Sequence, residues 1–356
     1  MPKESACLKV PKVLGEKAIV LSRKLKIQND MLEIQKDENS LYIPITDGMS
    51  ETAMKTLNEH LANFEVSARA FPERKGEAKT LAEILEGELP SHLMATLPHS
   101  ADIVGDTAIV EIPSELEAHR TVIGNAILKT NKNVKTVLAK AGTVSGTYRL
   151  REFNVVAGEH KTTTVHKEHG CQFYVDVARA YFSPRLSHEH NRVASLVNEG
   201  ETVVDLFAGV GPFAVQIAKR RENVRVFAVD VNPDAVEFLK KNVRLNRVEA
   251  KVWPILGDAR KVVDEKLLGV ADRVIMNLPE KAMEFMDVAC KALKPIGGIV
   301  HFYSFVNASD SLECKRLRFK EAVEESGKRL EAILFSKSVR ETAPFEWQIV
   351  LDAKIC

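Results

Sequence analysis

The chain has 356 residues, with 50 Lys plus Arg against 49 Asp plus Glu, 45% hydrophobic residues and 28% charged ones. At roughly 100–200 residues per domain this makes two or three domains, each able to bury a core, and the near-average composition excludes a disordered, collagenous or disulfide-scaffold protein. The longest uncharged stretches, Leu206–Ala218 and Pro295–Ser309, fall short of the roughly 18–20 apolar residues that a bilayer span requires. With no apolar signal core in MPKESACLKVPKV, the expected location is cytosolic. Cys7, Cys171, Cys290, Cys314 and Cys356 stand at no ligand spacing, so no metal site is expected.

Residues 1–71 read as a small α+β domain. It should hold a strand at CLKV, a helix over Val13–Lys26, a hairpin turning at KDENS, a helix near Glu51–Leu61 and a strand near Phe64–Phe71. Residues 72–79, charged and containing Pro and Gly, read as a linker. A second α+β domain is expected over 80–150, with a helix at Leu81–Leu89, strands within Asp102–Ile112, a helix at Glu115–Thr130 and a strand near Val134–Ala139. A further strand near Tyr148–Val156 leads into a third domain, 151–356. Between Ala118 and Arg151 lie Arg120, Lys129, Lys132, Lys135, Lys140, Arg149 and Arg151, with no acid among them. That run suits a polyanion-binding face and equally suits solvated lysines shared between a helix and a strand.

From about residue 200 strands and helices alternate: TVVDLFA, helix Gly211–Arg221, VRVFAVD, helix Pro233–Asn246, KVWPIL, helix Arg260–Leu268, ADRVIMNL, helix Glu280–Leu293, GGIVHFYSF. This is the pattern of βαβ units, hence a doubly wound α/β domain around a mostly parallel sheet. After a helix at Leu312–Ser326, the runs Arg329–Ser336 and Phe345–Ala353 are too close for a parallel crossover and should form an antiparallel hairpin at the sheet edge. A parallel sheet that ends in such a hairpin points to a class I methyltransferase sheet more than to a dehydrogenase.

VVDLFAGVGPFA carries Gly209, Gly211 and Ala214 from a strand into a helix, and Asp230 ends the next strand, where it can bind ribose hydroxyls. Two features favour S-adenosylmethionine (SAM) over a dinucleotide. Asp205 before the loop would repel a pyrophosphate but attract the cationic amino and sulfonium groups. Pro212 at the helix start removes an amide that a phosphate would use. Phe207, Val231 and the GDAR pair Asp258 and Ala259 complete the expected pocket, with Asp258 against the adenine amine. Asn277 and Pro279, at the end of the fourth strand, should line the reaction cleft; Asn277 can alternatively cap the following helix. That motif is not the Asn/Asp-Pro-Pro-aromatic of exocyclic-amine transferases, and no cysteine nucleophile follows Pro279.

YRLRE (148–152), AGEHKTTTVHKEHG (157–170), YFSPRL (181–186), DLFAGVGPF (205–213), AVDVNP (228–233) and MNLPE (276–280) resemble, in this order, the archaeal and eukaryotic tRNA (guanine-37 N1)-methyltransferases. The resemblance is specific from about residue 146 onward and loose before it. It implies methyl transfer from SAM to N1 of the guanosine 3′ of the anticodon. It further implies Glu189 as general base, Arg149 as the cation facing O6, Asn277 on the base edge and Tyr181 shaping the pocket. His190, which follows the base, is a candidate cofactor contact, although the family often has Arg at this position. The N-terminal domain would read the outer corner of the tRNA, while Lys129, Lys132, Lys135, Arg151 and Arg185 would contact RNA, a monomer sufficing. Taken alone, Glu189 could be a first-turn helix acid and Arg149 a phosphate contact. Competing expectations are aminocarboxypropyl transfer, methylation of a wyosine precursor, and a non-catalytic RNA-binding adaptor.

Overall fold

The computed structural model describes residues 2–46, 49–73, 80–98, 100–307 and 310–356. The chain divides into two compact units between Thr80 and Leu81. The linker expected over 72–79 lies mostly outside the described residues.

In the first unit β1 (Lys3–Pro11), α1 (Gly15–Lys24), β2 (Gln35–Lys36), β3 (Ser40–Pro44), α2 (Glu51–His60) and β4 (Glu65–Phe71) build an antiparallel sheet of order β2-β3-β1-β4. Leu8 and Val10 of β1, Ile43 of β3, Ala18 of α1 and Leu57 of α2 close its core. Ser50 caps α2 by accepting from the Ala53 amide, satisfying one of the helix's orphan donors.

The second unit begins with α3 (Leu81–Leu85) and a four-stranded sheet, β5 (Asp102–Val104), β6 (Thr107–Val110), β7 (Thr136–Ser145) and β8 (Leu150–Gly158). Here α4 (Arg120–Thr130) makes the crossover between parallel β6 and β7. β8 starts at the expected domain boundary, Leu150, and pairs antiparallel with β7 along its length. Val104, Ile109 and Leu138 of this sheet share a core with Phe173, Val203 and Val226. A hairpin that the sequence reading did not anticipate, β9 (Thr163–Glu168) and β10 (Cys171–Asp176), follows β8.

The large sheet comprises β11 (Thr202–Asp205), β12 (Arg225–Asp230), β13 (Val252–Leu256), β14 (Arg273–Met276), β15 (Gly298–Asn307), β16 (Leu330–Ala343) and β17 (Glu346–Ile355). Its order is β13-β12-β11-β14-β15-β17-β16. The first five strands are parallel, and β17 runs antiparallel between β15 and β16. This is the doubly wound methyltransferase sheet with its C-terminal hairpin, as expected. Around it pack α5 (Ser187–Leu196), α6 (Pro212–Arg220), α7 (Pro233–Leu245), α8 (Ala259–Val262), α9 (Met286–Ala292) and α10 (Leu312–Glu325). Two helices differ from expectation. α8 is one turn long and runs on as a π-helical turn, Val263–Leu267. The helix expected from Glu280 begins as a 3₁₀ turn at Ala282 and becomes α only at Met286. A tight turn closed by Lys281 N–H to Leu278 O separates β14 from it, so Leu278–Lys281 is a loop at the mouth of the sheet.

Candidate functional site

The turn from β11 into α6 is built on glycine geometry. Gly211 has φ +89°, a left-handed backbone, and a Cβ there would lie 2.2 Å from Leu239 Cδ1; only glycine accepts both conditions. Pro212 then occupies the first helical position, where its fixed φ suits the helix and its missing N–H costs nothing. Gly209 N–H donates to Asp230 Oδ2 at 2.7 Å, and Asn232 N–H to Oδ1 at 2.8 Å. Asp230 is thus clamped at the end of β12. Burial raises its carboxyl above the usual range, although the amides of Asn232, Gly209 and Val231 oppose the shift.

Beyond this turn lies a cavity of about 220 Å³ whose lining includes Phe207, Gly209, Asp230, Val231, Asp258, Ala259, Asn277 and Phe285. Aromatic and aliphatic side chains line it together with the carboxylates of Asp230, Asp258 and Glu280. Asp258 caps α8, its Oδ1 accepting from Arg260 N–H at 2.9 Å, which leaves Oδ2 without a helix partner. The chemistry this offers is an apolar wall for a flat ring with anionic acceptors for hydroxyl and amino groups.

A second cavity, about 340 Å³, opens alongside. Arg149, Tyr181 and Glu280 line both. Arg149 sits in the turn between β7 and β8 with φ +56°, a left-handed conformation costing a side-chain-bearing residue roughly 1–2 kcal/mol. Strain of this kind concentrates where function holds a side chain in place. Its guanidinium pairs with Glu280 Oε1 at 3.1 Å and lies 5.4 Å from the centre of the Tyr181 ring, while its Nε is buried without a partner. The larger cavity is rich in charge: Lys140, Arg151, Arg185 and Arg340 join Arg149, opposed by Asp102, Glu280, Glu341 and Glu346. Arg185 is tied to Asp102 at 2.5 Å and Lys140 to Glu111 at 3.0 Å. Arg340 makes no ion pair among the described residues; its contacts are neutral, to Gln348, Ser183 and Tyr181.

Several sequence-predicted residues lie elsewhere. Asp205 is fully buried beneath the glycine turn, one oxygen accepting from Phe207 N–H at 3.4 Å and the other unpartnered. Burial pushes its carboxyl up to about 7, against the Phe207 hydrogen bond and with a contribution from the Asp230 charge. Gly211 shapes the turn without lining the cavity, and Pro279 is buried behind it, its carbonyl accepting from Ser304 Oγ. Glu189 and His190, on the first turn of α5, are 3% and 1% exposed and line neither cavity. Glu189 accepts from Arg192 Nε, at 2.9 Å to Oε2, and from the Tyr303 hydroxyl at 2.9 Å. His190 Nδ1 faces Glu168 Oε1 at 2.8 Å, with Phe213 against the ring. Lys129, Lys132 and Lys135 are exposed at the end of α4 and in the loop after it, away from both cavities.

A line of hydrogen-bonded polar groups extends behind Glu189 across the sheet. Arg192 donates to Asp352 at 2.6 Å, Asp352 meets His301 Nδ1 at 2.6 Å, and His301 Nε2 meets Arg273 at 2.9 Å. An arginine can only donate, so His301 Nε2 accepts and Nδ1 carries the hydrogen toward Asp352. Burial, reinforced by the flanking arginines, lowers the His301 pKa in keeping with this neutral form. Burial would raise the Asp352 carboxyl, but His301 and Arg192 hold it at about 2.

Sequence reasoning missed Glu280, Phe285, Arg340 and Gln348. The Gln348 Nε2 donates to Asn277 Oδ1 at 3.3 Å, and Asn277 caps no helix, since the next helical turn starts at Ala282 with Lys281 at its N-cap. Gln348 and Arg340 face each other across β17 and β16, a pairing that carries no local motif.

Comparison with known proteins gives a consistent result. Residues 164–331 match the TRM5/TYW2 methyltransferase domain, 81–162 the TYW2 N-terminal domain and 7–53 the tRNA methyltransferase 5 N-terminal domain. The chain is 37% identical over 350 residues to the tRNA (guanine(37)-N(1))-methyltransferase Trm5b of Pyrococcus abyssi, covering 98% of each. A solved complex of aTrm5 with tRNALeu superposes with a TM-score of 0.71 at 34% identity, over 98% of this chain and 99% of that one. The structure of Methanocaldococcus jannaschii TYW2 in complex with AdoMet matches with a TM-score of 0.56 at 31% identity, over 72% of this chain and 99% of that one.

Proposed function

As this chain belongs to the TRM5/TYW2 methyltransferase family, we propose that it methylates N1 of the guanosine at tRNA position 37, 3′ of the anticodon. Its cofactor is SAM, and the smaller cavity fits that group. The apolar lining of Phe207, Ala259 and Phe285 suits adenine, Asp258 its amine, and Asp230 the ribose hydroxyls. When bound, SAM would supply an electrophilic methyl group; Arg149, Tyr181 and Glu280 mark the junction of the two cavities. The observation that carries the proposal is Arg149, a strained, largely desolvated cation standing at that junction.

Guanine N1 is protonated at neutral pH, and removing its proton sends charge to O6. Arg149 is assigned to that oxygen, where a fixed cation in a site shielded from water acts more strongly than in bulk solvent. Asn277 holds the base edge, and Tyr181 forms the wall common to both cavities. We assign proton removal to Glu189, whose carboxylate is fixed by Arg192 and Tyr303. Burial raises the Tyr303 phenol well above its ordinary range, so it stays a donor to Glu189. A second reading for the base rests on Glu280, the carboxylate that lines both cavities and pairs with Arg149. Arg151 and Arg185 in the larger cavity are assigned to RNA backbone, and the N-terminal domain, residues 1–71, to reading tRNA shape.

Single-turnover methyl transfer to a transcript with guanosine at position 37 tests the assignment. Glu189→Gln should slow the step by roughly 10²–10⁴-fold, while Glu280→Gln stays close to wild type. The reverse pattern moves the base to Glu280, and near-normal rates from both variants remove carboxylate base catalysis from the account.

A further inference from the structure

Two side chains outside the recognisable motifs, Arg340 and Gln348, form a directed hydrogen-bond chain ending on Asn277. Arg340 Nε donates to Gln348 Oε1 at 3.0 Å, and Gln348 Nε2 donates to Asn277 Oδ1 at 3.3 Å. Gln348 is 1% exposed. The direction of the chain is fixed by chemistry. A guanidinium has donors only, so Gln348 must turn its oxygen to Arg340 and its NH₂ to Asn277. Asn277 must then turn its own oxygen back into the protein. Its Nδ2 has no partner among the described residues, and Asn277 lines the smaller cavity. Arg340 is itself held in place by Ser183 Oγ at 3.1 Å and the Tyr181 hydroxyl at 3.4 Å.

We infer that Gln348, oriented by Arg340, is a positioning residue that locks the Asn277 amide as a hydrogen-bond donor toward the substrate base. This rests on the function proposed above and adds a specificity element to it. Attack by an exocyclic amine calls for an acceptor near the reacting nitrogen, to receive the amine hydrogens. Attack by a deprotonated lactam nitrogen calls for donors, because charge accumulates on the neighbouring oxygen. Asn277 alone could serve either chemistry by turning its amide over. With Gln348 behind it, it serves the second. Arg340 thereby links the hairpin β16–β17, the Tyr181 wall common to both cavities and the polarity of the base-binding amide.

A double-mutant cycle on single-turnover transfer to a guanosine-37 transcript tests this. Gln348→Glu keeps the volume and can still accept from Arg340, but it also accepts from Asn277 and so turns the Asn277 amide over. It should slow transfer by about 10²-fold, the cost of losing one well-placed donor, with SAM affinity by calorimetry within about threefold. In an Asn277→Ala background the same change should add almost nothing, so the double variant should lose about 10²-fold in total and not the product of the two losses. Gln348→Met, which fills the space and leaves the amide free, should lose less than Gln348→Glu. It replaces Gln348→Glu in the cycle should that variant fail to fold. Losses that multiply, or a Gln348→Glu rate near wild type, overturn the inference alone. A wild-type protein that leaves the guanosine-37 transcript unmodified overturns the functional reading beneath it.

Discussion

Asp205 pairs a sequence signal with an environment the sequence did not disclose. Its position before the glycine turn suggested a carboxylate facing the cofactor's cations; in the fold it lies under the turn with one oxygen unpartnered. Its carboxyl, ordinarily near 3.8, is pushed up to about 7 by burial. An acid with a raised folded pKa favours the folded state least where it must ionise. The penalty is absent below about pH 4, grows between about 4 and 7, and is complete above. Asp205→Asn should therefore raise the melting temperature at pH 8 and do so much less at pH 5. Equal shifts at the two pH values in calorimetric scans would contradict this account. Gly211 was legible for the opposite reason: its positive φ and its approach to Leu239 are backbone demands that a Gly-x-Gly spacing advertises directly. Arg340 and Gln348 were not legible, because their meaning comes from facing each other across two strands and reaching a third.

At the scale of elements, hydrophobic periodicity found the parallel strands and the C-terminal hairpin because both are buried in repeated patterns. It missed β9–β10, whose first strand, Thr163–Glu168, is largely polar and whose burial comes from packing against distant elements. It started the helix after β14 too early, since nothing in MNLPEKAM distinguishes a capped helix start from the loop that puts Glu280 over the cavities. The basic run was legible as a charge pattern, but the fold splits it. Arg149 and Arg151 belong to the larger cavity, whereas Lys129 and Lys132 stand exposed by the end of α4. We propose that the two lysines contact tRNA backbone. Their replacement by Ala should weaken tRNA binding and flatten its salt dependence, the slope of log K against log salt falling by about 0.7–0.9 for each phosphate that a lysine no longer neutralises. Unchanged affinity with an unchanged slope would return them to ordinary solvated surface.

For the whole molecule, fold class and cofactor were legible because a Rossmann-type turn, the strand-end Asp230 and the terminal antiparallel hairpin are local signals that agree with one another. The reaction was less so. The same sheet and cofactor serve family members of different names, and what separates them is the arrangement of a few side chains at the junction of two cavities. Glu189 illustrates the gap: its motif marks it as the base, while its carboxylate lies buried with Arg192 and Tyr303. The hydrogen-bonded chain from Glu189 through Arg192, Asp352 and His301 to Arg273 joins α5 to three strands of the sheet. Partners so buried cost several kcal/mol if one is removed, which ties the proposed base to the stability of the whole catalytic unit.

The most direct test of the central claim is the identity of the product. Labelled SAM should be incubated with two otherwise identical tRNA transcripts, one with guanosine and one with adenosine at position 37, and the digested nucleosides analysed by mass. The account predicts 1-methylguanosine from the first and no modification of the second. Methylation of both transcripts, or transfer of the heavier aminocarboxypropyl group, would leave the fold and cofactor intact and contradict the roles given to Arg149, Asn277 and Glu189.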